Sequence, residues 1–576
     1  MRAPSLKDLP ALLVPTAAAW VLAAQGAGPS PWVAVLTVAV AAALLLQNLD
    51  AAFRPTAPVA WAAGLVAWVA ADAALRPVAA FGATRAVAAA LAALALAASA
   101  GTPRTASWGR LAVVCSGTCA AVWMAVERAL HAGRPAGPFG NPNGAATLIL
   151  LGLALTPFLR VAIAVRAALL AVGVAGILAS GSRGALLGAL AVAVVWGLKG
   201  RRNRGLAVGA GLVAAAGVLG LGIRLAVDRD PLRYERFRIW GVAFKVAAAE
   251  LPLGCGPGGY GDVAIAHNFP RDGEFARFAR LPDLAESDFL QAAASLGLPG
   301  VALTAGLLIS VALQLRGRGA APWGVAVALA ATSAVNSQVV FPAVLWTGSL
   351  ALGSVQRRRN GGGRAGPRAG LVVAVVALAA ISAAILALPD WGLGPSAESL
   401  VGRAEAALRS RPPSDDSLAD AEALTRLACS ARPRFARAWR LLGNIRLRRA
   451  TLRDEAGLAA AAVDAFAEAR RVNPLDPWGA LGEATARRAL GDRPGAMRAL
   501  GTAVLLEPNC APAWLELATL RLAQGEVEQA HEALRRAEAA TRRASGATFV
   551  TDYERELARL DSATVSRLRA ALGEGP

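Results

Sequence analysis

Long apolar runs, separated by short basic connections, constrain this chain more than any other feature of its sequence. A helix that spans the hydrocarbon core of a bilayer needs roughly 20 mostly apolar residues, and the chain contains about 12–13 such runs. The predicted spans are residues 9–27, 31–49, 59–76, 80–100, 108–130, 143–159, 161–180, 184–199, 205–227, 290–315, 322–337, 339–355 and 369–389.

The composition indicates a membrane domain followed by a soluble tail. The 576 residues are 56% hydrophobic and only 17% charged, which is too apolar for a soluble chain of this length. Apolar residues dominate up to about Pro389, and charged residues take over after it. We therefore predict an all-α protein with a polytopic helical membrane domain over residues 1–389 and a soluble helical region beyond it.

Basic residues alternate between the predicted connections in the way that sets the orientation of membrane helices. With Arg2 and Lys7 in the cytoplasm, every second connection carries arginine or lysine, which is the positive-inside pattern. The large loop over residues 228–289 and the C-terminal tail then lie in a periplasm-like space. This orientation explains the net charge of +20, so we predict no nucleic-acid partner.

Arg183 breaks the pattern that the other arginines follow. It begins an apolar run in "GSRGALLG" (181–188), at a connection that is predicted to lie outside the cytoplasm. Two interpretations stay open at this point. Arg183 binds a specific anion, or its charged end extends to the phospholipid headgroups.

The predicted external loop contains arginines, an amphipathic segment and a glycine-rich turn. Arg236 and Arg238 begin "RFRIWGVAFKVAAAE" (236–250), a pattern that is typical of a helix on a membrane surface. The turn "GCGPGGYG" (254–261) follows. Backbone amides in such a turn can approach an anion.

Four motifs, in this order, resemble the O-antigen ligase and polymerase superfamily of bacterial envelope glycosyltransferases. They are "GPFGNPNGAATLILLGLAL" (137–155), "GSRGALLG" (181–188), "RFRIWGVAFKVAAAELPLGCGPGGY" (236–260) and "ESDFLQAAASLGLPG" (286–300), within a core of about residues 130–350. The resemblance implies a multi-pass protein of the bacterial inner membrane. It would transfer a glycan from an undecaprenyl-pyrophosphate carrier to an acceptor glycan, lipid or protein, as a ligase or a polymerase, without a metal ion or cofactor.

The resemblance also implies roles for particular residues. Arg183, Arg236 and Arg238 would bind the pyrophosphate, because a guanidinium makes permanently charged, bidentate contacts with phosphate oxygens. Glu286 stands where ligases of the family typically carry a histidine, and its carboxylate would accept the proton of the acceptor hydroxyl. His267 in "AHNFP" is the alternative base.

The spacing after Glu286 follows the family pattern although the histidine is absent. Ser287, Gly297 and Gly300 keep the order of one polar residue and two glycines. The glutamate could equally mean a different acceptor or lost activity, so the alternative function is a catalytically inactive membrane scaffold for a polysaccharide assembly complex. A transporter is a third hypothesis, disfavoured because the predicted spans lack the buried charges that line substrate paths.

The tail repeats with a period of 34 residues. Gly457, Gly491 and Gly525 follow this step, and so do alanines five residues after each of them. The period is that of the tetratricopeptide repeat, which we predict over residues 431–545, after a helical lead-in over 390–430 and before a C-terminal helix over 546–576. Stacked repeats form a concave peptide-binding surface. We therefore predict a protein partner for the repeats, the alternative being a passive spacer.

Overall fold

The computed structural model describes two compact units. The described residues are 57–76, 103–130, 135–199 except 139, 204–227, 235–337, five positions between 344 and 352, 395–409, 414–544 and 552–573. All regular structure within these ranges is helical. The first unit ends at Gly259 and resumes over Leu284–Leu393, and the second comprises Tyr260–Asp283 and Gly394–Pro576.

The first unit contains the apolar helices. They are α1 (Ala57–Leu75), α2 (Pro103–Leu130), α3 (Pro142–Leu155), α4 (Ile163–Ser180), α5 (Arg183–Lys199), α6 (Arg204–Val227), α7 (Glu235–Ala249), α9 (Asp288–Leu315) and α10 (Ala320–Val335). Within the described ranges, α2, α4, α6 and α9 are long and apolar enough to cross a membrane, and α1, α3 and α10 are shorter apolar helices. The predicted spans 9–27, 31–49, 80–100 and 369–389, and most of 339–355, lie outside the described residues.

Small side chains let the membrane helices pack closely. Side chains from α2 to α6 and from α10 form one apolar core, in which Trp196 of α5 is fully buried. A Cβ atom on Gly117 of α2 would lie 3.0 Å from the Cα atom of Gly152 in α3. Helices in lipid associate through such close packing of their backbones. The hydrophobic effect does not drive them together, because lipid tails are as apolar as the helix side chains.

The second unit is a stack of helix pairs. They are α11 (Ala397–Arg409) with α12 (Asp415–Ala431), α13 (Ala436–Arg453) with α14 (Ala456–Val472), α15 (Pro477–Ala489) with α16 (Arg493–Leu506), and α17 (Ala511–Leu522) with α18 (Val527–Ala544). Gly443 and Gly482 have the Phe466 ring within 2.8 and 2.3 Å of where a Cβ atom would stand. Each of these glycines ends a similar stretch, "WRLLG" (439–443) and "WGALG" (478–482), and therefore makes room for the Phe466 ring in the core.

The ends of the second unit differ from the regular pairs. Over residues 546–576 the described part forms two short helices, α19 (Asp552–Leu557) and α20 (Ser562–Ala571), because Asp561 caps the start of a new helix by accepting from the amide of Ala563. The unit also includes the short helix α8 (Tyr260–Ala264) and a 3-10 turn (Ile265–His267), which belong to the predicted external loop.

Candidate active site

Arg183 is the first residue of α5, directly after a tight turn. Gly181 adopts a left-handed conformation with φ 59° and ends α4. The Ser182 hydroxyl oxygen accepts weakly from the amide of Ala185 at 3.4 Å, which caps the first turn of α5. Arg183 thus adds its charge to the partial positive charge of a helix N-terminus, where anions bind favourably.

The start of α3 meets the start of α5. Asn141 caps α3 by accepting from the amide of Asn143 at 2.8 Å. The Ser182 hydroxyl donates to Oδ1 of Asn143 at 2.9 Å. Two of the motifs that carry the resemblance, "NPNG" and "GSRG", are therefore in direct contact, and two helix N-termini come together beside Arg183.

Arg236 joins α7 to the C-terminal end of α10. Its guanidinium donates to the carbonyl oxygen of Val335 at 2.6 Å and to Oδ1 of Asn336 at 2.9 Å. It also pairs with the Glu286 carboxylate at 3.5 Å. Burial lowers the pKa of Arg236, while the charge of Glu286 raises it and that of Arg183 lowers it. The guanidinium still keeps its proton, so the three charges form one interacting group.

Glu286 is held at both its side chain and its backbone by α7. Its φ of 51° lies in the left-handed region, which costs free energy for a residue other than glycine. Trp240 donates from its indole nitrogen to the carbonyl oxygen of Glu286 at 3.4 Å. Because Arg236 and Trp240 are one helical turn apart, they reach Glu286 from the same face of α7.

Asn336, which the sequence did not predict, accepts from Arg236 and lies against the residue after Arg183. A Cβ atom on Gly184, the residue after Arg183, would lie 2.6 Å from Nδ2 of Asn336. The Asn336 side chain is 1% exposed, and within the described part of the chain its Nδ2 has no hydrogen-bond partner. A buried donor without a partner is costly, which is compatible with a ligand oxygen at this position. Asn336 follows an apolar helix and belongs to no motif, so nothing in the sequence distinguishes it.

The Pro-Leu-Gly turn packs against a break in α9. Gly297 has φ 62° and ψ −157° inside that helix, and the amide of Leu298 donates to the carbonyl oxygen of Pro252 at 2.8 Å. A Cβ atom on Gly297 would lie 2.2 Å from that same oxygen. The glycine spacing of "ESDFLQAAASLGLPG" therefore has a structural cause: the turn approaches a bent helix too closely for any side chain.

A buried charge lies in the predicted span 59–76, contrary to the prediction that the spans lack buried charges. Asp72 of α1 is 5% exposed and pairs with Arg76. Arg76 in turn donates to the carbonyl oxygens of Gly254 and Leu253, at 2.5 and 3.0 Å. The expectation that the spans lack buried charges is therefore wrong for Asp72. The ion pair of Asp72 and Arg76 fixes the Pro-Leu-Gly turn through the hydrogen bonds that Arg76 donates.

The two remaining candidate residues are placed differently. Arg238 is exposed on α7, and its position two residues from Arg236 puts it on another face of the helix. His267 is half-buried at the end of the 3-10 turn, in the unit that contains the repeats. Glu286, Arg236 and Arg183 all belong to the other unit. Within the described ranges, no three His, Cys, Asp or Glu side chains are grouped as a metal site would require.

The described residues define a helical membrane domain, a site that contains Arg183, Arg236 and Glu286, and a helical-repeat domain. Residues 167–305 match the family model described as O-antigen ligase, and residues 487–550 match a tetratricopeptide-repeat model. The two matches stand in the predicted order, which confirms the resemblance to the O-antigen ligase family with tetratricopeptide repeats toward the C-terminus. The match supports a membrane glycan transferase of the O-antigen ligase or polymerase type.

Solved structures with similarity to this chain include a TPR protein, MamA and Tom70. A thermophilic TPR protein of Thermus thermophilus is 21% identical, with 34% of this chain and 90% of that chain covered and a TM-score of 0.25. MamA is 15% identical, with 26% and 92% covered and a TM-score of 0.21. Yeast Tom70 is 12% identical, with 74% and 91% covered and a TM-score of 0.17. The curated proteins contain no match.

Proposed function

We propose that this protein transfers a glycan from an undecaprenyl-pyrophosphate carrier to an acceptor hydroxyl on the periplasmic side of the bacterial inner membrane, without a metal ion. The observation that carries the proposal is the linked group of Arg183, Arg236 and Glu286. It combines two permanent positive charges with one carboxylate, at the start of helices whose amides favour an anion. These are the groups that a pyrophosphate leaving group and a hydroxyl nucleophile require.

The reaction is one displacement at the anomeric carbon of the first sugar. The acceptor oxygen forms a bond to this carbon, and the bond between the carbon and the pyrophosphate oxygen breaks. The electron pair leaves with undecaprenyl pyrophosphate, while the hydroxyl proton moves to the Glu286 carboxylate. Arg183 and the N-terminus of α5 stabilise the negative charge that builds up on the leaving group.

Arg236 and Asn336 have supporting roles in this scheme. The contacts of Arg236 to the end of α10 fix its guanidinium before the carrier binds, which lowers the entropy lost on binding. The unpartnered Nδ2 of the buried Asn336 would donate to a phosphate oxygen. Arg238, which is exposed, is proposed to act only by attracting the anionic carrier toward the site.

The test is the analysis of lipid-linked glycan in cells that lack the protein. Deletion should leave glycan on the carrier, and the wild-type chain should restore transfer while the Arg183→Ala chain should not. Altered glycan length in the deletion strain would mark a polymerase, whereas full-length lipid-linked polymer beside an unmodified acceptor would mark a ligase. If Arg183→Ala restores transfer fully, Arg183 does not stabilise the leaving group and the proposed site is wrong.

Orientation gives a separate prediction. Reporters inserted near Asp272 or fused after Pro389 should both read as periplasmic, and one at Arg202 should read as cytoplasmic, because the basic residues stay inside. Paired alkaline phosphatase and fluorescent-protein fusions measure this. A cytoplasmic signal at Asp272 would place the loop on the wrong side for a flipped carrier and contradict the proposal.

A further inference from the structure

Part of the external loop is bound by the repeat domain of the same chain. The loop segment, residues 260–283, forms one compact unit with the repeats. Its stretch "FARFARL" (275–281) places Ala276, which is fully buried, in an apolar core with repeat residues such as Ala480 and Trp514. Phe275 and Ala279 pack against the same core. The repeats therefore already hold a peptide, and that peptide comes from their own chain.

Glu507, the residue directly after α16, binds the backbone of the loop segment. One carboxylate oxygen accepts from the amide of Arg277 and the other from the amide of Phe278, each at 2.9 Å. The Glu507 side chain is fully buried, and this burial raises the pKa of its carboxyl against the effect of the two amides. A buried carboxylate needs such donors to offset its lost hydration, and the loop segment supplies two.

Further contacts fix the same stretch of backbone. Asn509 donates from Nδ2 to the carbonyl oxygen of Phe275 at 2.7 Å. The Arg277 guanidinium donates to the carbonyl oxygens of Leu505 and Leu506, each at 3.3 Å, where the C-terminal end of α16 favours a cation.

Glu507 and Asn509 do not recur at the matching positions of the preceding repeat. The positions one period earlier are Asn473 and Leu475, so the 34-residue pattern does not require Glu507 or Asn509. Both bind the backbone of the loop segment, and within the repeat domain Glu507 also accepts from the Tyr553 hydroxyl at 3.3 Å and Asn509 from Arg543 at 2.7 Å.

A second contact holds the start of the loop segment. Arg432, between α12 and α13, donates from Nε and Nη2 to the two oxygens of Asp262, at 2.5 and 2.6 Å. Both side chains are nearly buried. A bidentate pair of this kind fixes direction as well as distance. Arg432, Glu507 and Asn509, which we call the clamp, therefore hold the loop segment near both of its ends.

The ends of the loop segment connect directly to the proposed active site. The loop segment begins within the glycine-rich turn (254–261), and only Leu284 and Ala285 separate its other end from Glu286. Glu286 adopts a left-handed conformation that its surroundings must maintain. Ordering the loop segment reduces the conformational freedom that this residue would otherwise have.

We propose that the repeat domain clamps the transferase loop of its own chain, and that Glu507 is a positioning residue for Glu286. The proposal rests on the proposed function, and it gives the repeats a role within the transfer reaction itself. Glu507 acts through the loop segment and does not contact the substrate.

The test compares two buried glutamates of the repeat domain in the full-length chain in lipid nanodiscs. Glu507→Ala removes the acceptor of two amides of the loop segment. Glu483→Ala is the matched control, because Glu483 is also buried but pairs with Arg470 and Arg487 of the repeats. Hydrogen–deuterium exchange reports the amides of Arg277, Phe278 and Ala285, the last of which donates to Oε1 of Gln291. Transfer from a lipid-linked donor gives kcat and KM.

In Glu507→Ala the amides of Arg277 and Phe278 should exchange at least about tenfold faster, since two charge-assisted hydrogen bonds are lost. The amide of Ala285 should also exchange faster. The kcat for transfer should fall by about tenfold to a hundredfold at unchanged KM for the donor, the size of effect that a misplaced catalytic group produces. Glu507→Gln keeps one strong acceptor and should be intermediate in exchange and in kcat.

Three results would overturn the proposal. The first is rapid exchange of the Arg277 and Phe278 amides in the wild type. The second is faster exchange of these amides in Glu507→Ala while the exchange at Ala285 and kcat stay unchanged. The third is a loss of kcat in Glu483→Ala as large as that in Glu507→Ala. If the wild-type chain transfers no glycan, the proposed function fails. The exchange at Ala285 then still shows whether the clamp orders the residues beside Glu286.

Discussion

Replacing Glu286 with glutamine should lower the rate of glycan transfer by about 10²–10⁴-fold, the range that general-base catalysis contributes. Glutamine has the same shape, so the contact between the Trp240 indole and the backbone at residue 286 should persist. The amide cannot accept the proton of the acceptor hydroxyl, and it has no charge to pair with Arg236. Binding of the lipid-linked donor should be largely unchanged, and the loss should appear in kcat.

Glu286→His is the informative companion variant. It restores the residue that ligases of the family typically carry, and an imidazole accepts a proton near neutral pH, so we expect partial activity. The measurement is the rate of acceptor modification in proteoliposomes, with donor binding determined separately. If the glutamine variant transfers at the wild-type rate, Glu286 serves only as the counter-ion of Arg236. The base would then have to be sought elsewhere, beginning with His267.

Replacing Arg183 with alanine should weaken transition-state stabilisation by about 1.5–3 kcal/mol, the contribution of a hydrogen bond to a charged group. At about 1.4 kcal/mol per factor of ten, this is a loss in kcat/KM of roughly tenfold to a hundredfold. Arg183→Lys should be almost as impaired, because an ammonium keeps the charge but loses the planar fork that matches two phosphate oxygens.

The control for Arg183 is Arg316→Ala, which removes an exposed arginine from the connection between α9 and α10. This connection is predicted to be cytoplasmic, and its variant should transfer normally. Arg236 is less suitable for such a comparison, since its removal also frees the end of α10. Full activity of Arg183→Lys would show that Arg183 acts only as a general electrostatic or lipid anchor.

The fold class was predictable because it depends on local patterns. Apolar runs over 161–180 and 205–227 correspond to α4 and α6, and the 34-residue period corresponds to helix pairs packed through small residues. Motif order also identified Arg183, Arg236 and Glu286 as candidates before their charges were known to interact. These inferences needed only periodicity, charge distribution and the spacing of a few motifs.

Other features depended on contacts between distant parts of the chain. Asn336 lies 100 residues from Arg236, to which it is hydrogen-bonded, and no motif marks it. The charge pair in α1 was missed because a single acid in an apolar run gives no sign of a partner in a distant turn. The binding of the loop segment by Glu507, across 230 residues, leaves no periodic signal.

The second unit consists of two separate parts of the chain, and this limits the number of membrane crossings between them. A compact unit made of residues 260–283 and 394–576 must lie wholly on one face of the membrane. The chain therefore crosses the membrane an even number of times between these two parts. If α9, α10 and the predicted spans 339–355 and 369–389 each cross once, as the sequence predicts, the number of crossings is four and meets this condition. This parity condition depends on neither hydropathy nor the distribution of arginines.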